Sequence, residues 1–133
     1  MTVVLDCNIL VISLTSRSPY HKIYQSLVAG RFDLIVTNDI VLEYYEIIER
    51  KYGKTTADAF TALLTQLPNV HFIDIYYRWN LIDADPDDNK YCDCAVAGQA
   101  DYIVTEDNHF SILQTIAFPP LQAIGIDYFS TII

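Results

Sequence analysis

Short apolar runs that each stop on a polar or acidic residue, separated by stretches with helical spacing, limit most strongly how this chain can fold. Val3-Val4-Leu5 stops at Asp6, and Tyr102-Ile103-Val104 stops at Thr105, Glu106 and Asp107. A strand covered on both faces reads as such a run, without the alternation of a half-exposed strand. Phe32 to Val36 is a further strand of this kind. Val70 to Ile75 is another, with imperfect alternation, and Gln122 to Ile126 reads as the last.

Helical stretches fall between the runs. Asn8 opens an apolar stretch to about Leu14. Pro19 suits a first helical turn, and His21 to Ala29 follows, closed by Gly30. Thr37 or Asn38 can cap a helix on which Ile40, Val41, Tyr44, Ile47 and Ile48 recur at helical spacing, to about Lys51. Gly53 separates it from a helix over about Thr56 to Leu67, which a Pro68-Asn69 turn ends. Pro86 bends the polar stretch Asp83 to Asn89. A helix from about Asp88 to Gln99 comes next, and a short one near Phe110 to Gln114 precedes Pro119-Pro120. Strands alternating with helices mean an α/β fold with a mainly parallel sheet. In such sheets ligands bind beyond the carboxyl ends of the strands.

At 133 residues, about half of them apolar, the chain fits one domain over residues 1–133. No apolar run is long enough for a transmembrane helix, and the start, MTVVLDCNIL, lacks the marks of a signal peptide. The expected location is cytoplasmic. Cys7, Cys92 and Cys94 form no disulfide framework and read as buried thiols. Seventeen acids against eight bases give a formal charge of −9, awkward for contact with phosphate. Divalent cations held by clustered carboxylates, or a basic partner, would resolve the conflict.

The placing of the acids matters more than their number. Asp6 ends the first strand, and Asp107 lies just past the Tyr102–Val104 strand. Asp87 and Asp88 open a helix, and Glu43 lies about one turn into the helix after the second strand. All can converge on the carboxyl edge of one sheet. Each has a plain reading when taken alone. Asp6 and Asp107 suit caps, Asp87 and Asp88 suit a helix start, and Glu43 with Glu46 and Glu49 suits a solvated face. Crowded carboxylates raise one another's pKa. Mg²⁺ or Mn²⁺ is the natural neutraliser, because hard cations take oxygen ligands.

These residues resemble the PIN-domain family, and within it the small bacterial PIN proteins that serve as toxins of toxin–antitoxin pairs. The likeness covers nearly the whole chain. Val3 to Leu10 is similar to the family's opening strand with its Asp-x-Asn ending, and Thr37 to Tyr44 to its second block with a Glu after a capped turn. Asp85 to Lys90, followed by Ala95-Val96-Ala97, is similar to the third block, and Ala100 to Asp107 to the fourth, a strand ending in Thr-x-Asp. The resemblance implies a three-layer α/β/α sandwich, dependence on Mg²⁺ or Mn²⁺, and hydrolysis of single-stranded RNA. It makes Asp6, Glu43, Asp88 and Asp107 the acidic site, with Asn8 and Thr105 orienting carboxylates or waters and Asp93 joining the rim. Between Asp87 and Asp88, the second is favoured. Glu106 stands where the family often has a small residue, and either crowds the site or points to solvent.

The mechanism expected is metal-assisted hydrolysis. Asp6 and Asp107 hold one ion, Asp88 shares it or holds a second, and Glu43 binds through water or helps deprotonate the attacking water. Covalent catalysis finds no constellation: His21, His71 and His109 are scattered, and His109, although close to Asp107, reads as structural. The main rival is a catalytically inactive module of the same fold that binds RNA or protein. A phosphoryl-transfer hydrolase would want a second Asp where Asn8 stands. A phospho-receiver would want its phosphorylated Asp on a middle strand and a late strand-end Lys. From the family come two further partners, a small antitoxin and a second copy of the chain. The ten tyrosines, Tyr44, Tyr45, Tyr76 and Tyr77 among them, suit an interface or the core equally.

Overall fold

The computed structural model describes residues 1–133. A parallel sheet of five strands runs through it in the order β3-β2-β1-β4-β5: β1 Thr2–Leu5, β2 Asp33–Val36, β3 Val70–Phe72, β4 Tyr102–Val104 and β5 Ala123–Ile124. Helices flank it: α1 Cys7–Ser13, α2 His21–Val28, α3 Asn38–Tyr52, α4 Lys54–Gln66, α5 Asn89–Ala97 and α6 Ile126–Ile132. This is the expected three-layer α/β/α arrangement. None of these helices is long and apolar enough to cross a membrane.

The central strand is β1. Its Val3, Val4 and Leu5 are fully buried and begin one continuous core that also takes Leu34 and Val36 of β2 and Ile103 and Val104 of β4. Burial on both faces explains why these strands read as unbroken apolar runs. Leu5 pairs with Val104, so β1 and β4 end side by side. From β1 the chain builds outward through β2 and β3, then returns to add β4 on the other side. The point where strand order reverses therefore lies between β1 and β4, where open α/β sheets form their ligand crevice.

The local signals that shape these elements are specific. Thr37 Oγ1 accepts the Ile40 N–H at 3.2 Å and caps α3. Gly53 takes φ +93° and turns the chain from α3 into α4, a conformation that costs glycine least. Asn69 side-chain nitrogen donates to Leu27 and Phe32 carbonyls at 2.9 and 2.8 Å, tying the turn before β3 to α2 and β2.

Three expectations shift. The strand read as Val70 to Ile75 stops at Phe72. The helix expected from Asp88 to Gln99 begins as a 3-10 turn over Pro86–Asp88 and becomes α5 only at Asn89. The strand expected over Gln122 to Ile126 keeps two residues, Ala123–Ile124, and Ile126 instead opens α6. The β-branched and aromatic residues of that segment favour strands intrinsically. Packing decides otherwise: Ile126 and Phe129, three apart, share one helical face, and Phe129 meets Phe32 edge-on at 5.2 Å.

Candidate active site

The carboxyl ends of β1 and β4 bring Asp6 and the Thr105–Asp107 segment together. Asp6 is buried, and its Oδ2 accepts the Thr105 hydroxyl at 2.8 Å. Thr105 Oγ1 in turn accepts the Asp107 N–H at 3.0 Å. One buried threonine thus sets both the carboxylate at the end of β1 and the backbone that carries Asp107. Burial pushes the Asp6 carboxyl above its ordinary range, with the Glu43 and Asp107 charges adding to the rise, while the Thr105 bond and the Cys7 N–H oppose it.

Asp88 arrives from the turn before α5. Asp85 Oδ1 accepts the Asp87 N–H at 3.1 Å, which fixes that turn. Asn89 exchanges two hydrogen bonds with the Ile82 backbone, at 2.8 and 3.0 Å, and pins the polar stretch to the helix start. The Asp88 side chain is 13% exposed and that of Asp87 is 81% exposed, so Asp88 is the member of the pair turned inward. Its carboxyl is pushed up to about 6, first by burial and then by the charges of Asp85, Asp107 and Asp6, against a lowering contact from His109.

His109 is the residue that sequence reasoning undervalued. Its Nδ1 lies 3.4 Å from Asp88 Oδ2 and 3.2 Å from Asp107 Oδ1. Asp107 Oδ1 also accepts the His109 N–H at 2.9 Å, so the imidazole is placed by the acid it serves. One ligand atom from each of Asp85, Asp88 and His109 lies within 4.8 Å of the others, a spacing that suits one cation. Only Asp88 of these three belongs to the predicted acidic set. Carboxylate oxygens with one imidazole nitrogen are a donor set for a hard or borderline ion such as Mg²⁺ or Mn²⁺.

Glu43 approaches from α3 and is clamped. Tyr91 donates its hydroxyl proton to Glu43 Oε1, and Lys90 Nζ donates to Oε2 at 2.9 Å. Tyr91 is buried, which holds its hydroxyl well above the usual range and keeps it a donor. Beneath the acids, the buried Tyr44 hydroxyl donates to the Leu5 carbonyl at 2.5 Å and fastens α3 to the end of β1.

The remaining predicted residues lie elsewhere around this centre. Asn8 is exposed on α1, beside a groove with Val11, Thr15 and Lys51, and its side chain makes no hydrogen bond to the acids. Asp93 is buried on α5, accepts the Trp79 N–H at 2.9 Å and so anchors the loop before α5; it lines the pocket that Glu43 and Lys90 share and is not one of the Asp85–Asp88–His109 group. Glu106 does not crowd the site: the residue is exposed, and its Oε1 accepts the Ile126 N–H at 2.7 Å, at the start of α6. The three thiols are free and buried, each pushed up to about 12 by burial, and are unfit as nucleophiles.

Comparisons with known proteins meet this geometry. The family described as PIN domain matches residues 2–109. Among solved structures, the chain is similar to VapBC2 from Rickettsia felis bound to a DNA fragment from their promoter, with a TM-score of 0.64 and 16% identity over 94% of this chain and 98% of that one. It is also similar to VapC20 of Mycobacterium tuberculosis, a Sarcin-Ricin loop cleaving toxin, with a TM-score of 0.60 and 13% identity over 82% of this chain and 92% of that one. At such identities the likeness is one of fold. No curated protein matches the chain in sequence. The family match spans four strands of the sheet and all the acids described above, and the chain belongs to the PIN-domain family.

Proposed function

We propose that this protein is a divalent-metal-dependent endoribonuclease that hydrolyses phosphodiester bonds of single-stranded RNA, and that it works in the cytoplasm as the toxin of a toxin–antitoxin pair. The observation that carries the reading is the chain of contacts Asp6–Thr105–Asp107–His109–Asp88 at the reversal of strand order. Three carboxylates, those of Asp6, Asp88 and Asp107, converge with Glu43 where the fold forms its crevice, and a folded protein holds such a group of like charges readily only with a cation. The family and the fold likeness to two toxin structures support the same assignment.

Asp6, Asp88 and Asp107 would hold the ion, with Asp85 and His109 beside Asp88. A bound Mg²⁺ or Mn²⁺ supplies a lowered pKa for the attacking water and charge compensation at the phosphate. The chain's own residues do the positioning. Thr105 and the Cys7 N–H fix the Asp6 carboxylate. Tyr91 and Lys90 hold both Glu43 oxygens, so Glu43 is already half neutralised and suits orienting a water better than binding a cation directly. His109, between two acids, is placed to lend a proton to the leaving oxygen. An antitoxin with a basic segment would cover the acidic face, and a second copy of the chain is the other partner we assign from the family.

The test is cleavage of a labelled single-stranded RNA with Mn²⁺, with Mg²⁺ and with EDTA, comparing wild type with Asp6→Asn. Metal-dependent cutting that the variant loses is the expected result. Folded wild type that cuts nothing with either metal would move the assignment to a binding module of the same fold, the reading that the net charge of −9 favours.

A further inference from the structure

The eight bases are not spread evenly over the fold. Arg17 and Lys51 line one groove of about 450 Å³ between α1, the loop before α2 and the end of α3, and none of the 17 acids lines it. Both are exposed, and neither is paired with a carboxylate, whereas Lys54 and Lys90 are. The last turn of a helix favours a cation, which accounts for Lys51 alone. Arg17 comes from the loop between α1 and α2. In a chain of charge −9, two unpaired cations on one groove free of acids form a local field that attracts an anion.

The rest of the groove supplies donors. Thr15 Oγ1 accepts the Arg17 N–H at 3.4 Å and Ser18 Oγ accepts the Tyr20 N–H at 3.1 Å, and neither hydroxyl donates to a group of the protein. Asn8 is exposed at the groove, two residues after Asp6. The Cys7 thiol between them meets the Glu43 carbonyl at 3.9 Å, so this end of the groove opens beside the acids. From there α1 runs for seven residues, about 10 Å, before the loop that carries Arg17. We infer that this groove holds a phosphate of a single RNA strand next to the bond to be cut, with Arg17 and Lys51 meeting its charge and Asn8, Thr15 and Ser18 donating to its oxygens. The inference rests on the ribonuclease reading for its ligand and adds the path by which the strand leaves the acids.

Charge selects this path. The pocket between α3 and α5 is lined by Asp39, Glu43, Glu46, Asp87 and Asp93, and its Lys90 is already paired, so it repels a phosphate. The pocket beside β5 carries Glu106 and Asp107. The α1 face offers two free cations and no acid. The groove also opens onto the acids, which favours a strand over an acidic protein segment, because a strand being cut needs both places at once. Tyr52 lines the same groove, 43% exposed, and gives a base a ring to stack on.

The test reads binding apart from cutting. Anisotropy of a labelled single-stranded RNA is followed in EDTA at several salt concentrations. For a single strand, the logarithm of affinity falls against that of salt with a slope of about 0.7 per phosphate contact. Arg17→Ala and Lys51→Ala, both at exposed positions, should each reduce the slope by about 0.7 and weaken binding about fivefold at about 0.1 M salt. Arg31→Ala removes an exposed arginine from the turn before β2, and should change affinity by less than about twofold, as distant charges are screened. With Mn²⁺, the two groove variants should raise KM for RNA far more than they lower kcat. These binding effects in a protein that cuts nothing with either metal would retire the nuclease reading and leave the groove as an RNA site. Metal-dependent cutting with slope and KM unchanged in both groove variants, or an equal loss in Arg31→Ala, would overturn the groove alone. Polyglutamate of the same charge that displaces the labelled strand as well as unlabelled RNA does would assign the groove to an acidic protein segment and overturn it too. So would wild-type protein that binds no single strand at low salt.

Discussion

Lys90 Nζ donates to Glu43 Oε2 at 2.9 Å, joining two helices across 47 residues of sequence. Both side chains are mostly enclosed, and Tyr91 holds the other Glu43 oxygen. The acidic centre therefore has two halves. On the Glu43 side the chain supplies its own cation. On the Asp88 side it supplies only His109, between Asp88 and Asp107.

Breaking this pair from one side should cost more than removing both partners. Lys90→Met leaves Glu43 enclosed with its charge unmet, and a loss of about 1–3 kcal/mol is expected. Adding Glu43→Gln should recover most of it. Urea unfolding of the wild type, both single variants and the double variant gives the coupling directly. Single-variant losses that merely add would mean the two side chains act independently.

Asp87 and Asp88 should part sharply in activity. Asp88→Asn removes an inward carboxylate of the proposed cation site, and cutting should fall by about 100-fold or more. Asp87→Asn removes a solvent-facing one that touches Lys90 only at 3.6 Å, and cutting should stay within about threefold, as exposed pairs contribute little. Equal losses in initial-rate assays would show that exposure does not separate their roles.

The strand ends were legible because buried parallel strands write themselves as apolar runs, and Asp6 and Asp107 follow two of them directly. The contacts across the site were not. His109 meets Asp88 only because a 3-10 turn follows Asp107, and 21 residues separate the pair in sequence. Asp85 looked like part of a polar loop, with no spacing to tie it to a histidine. Asn8 was tied to the acids by its motif, but α1 starts at Cys7 and carries Asn8 on its exposed side. α6 was hidden by residues that prefer strands, and its helical state comes from Phe129 packing on Phe32.

Gly98 is required by space. A Cβ there would clash with the Ile35 Cδ1 and lie 2.8 Å from its Cγ2, while the Cys94 carbonyl would be 3.2 Å away. Gly98→Ala should cost about 1–3 kcal/mol through overpacking between α5 and β2. Ile35→Val removes the nearer methyl and should restore part of that loss in the double variant. Thermal unfolding of the set checks this. A neutral Gly98→Ala would mean that Ile35 rotates away freely.

Glu106 should matter to stability and not to cutting. Its carboxylate accepts the first N–H of α6 and favours the positive end of that helix. Glu106→Ala should lower stability by about 1 kcal/mol, and Glu106→Gln, which keeps an acceptor, by less. RNA cutting per folded molecule should be unchanged in both. A tenfold change in rate at unchanged stability would place this carboxylate in the field of the site after all.

Metal-free protein should be more stable in mild acid than near neutrality. The Asp88 carboxyl lies at about 6 in the folded protein against 3.8 ordinarily, and burial and carboxylate neighbours raise it. Between those values the folded state holds more protons than the unfolded one. Stability therefore falls as pH rises toward and through about 6, and the gap is worth at most about 3 kcal/mol for this group. Asp6 and Asp93 are raised as well and act in the same direction. Urea midpoints in EDTA should then drop between about pH 5 and about pH 7.5, and Asp88→Asn should flatten much of that drop. Mn²⁺ should lift the midpoint more at the higher pH, because protons compete with the cation for the same oxygens. A pH profile identical in wild type and Asp88→Asn would show that this carboxyl is not strained by its neighbours, and would remove the electrostatic case for placing a cation beside it.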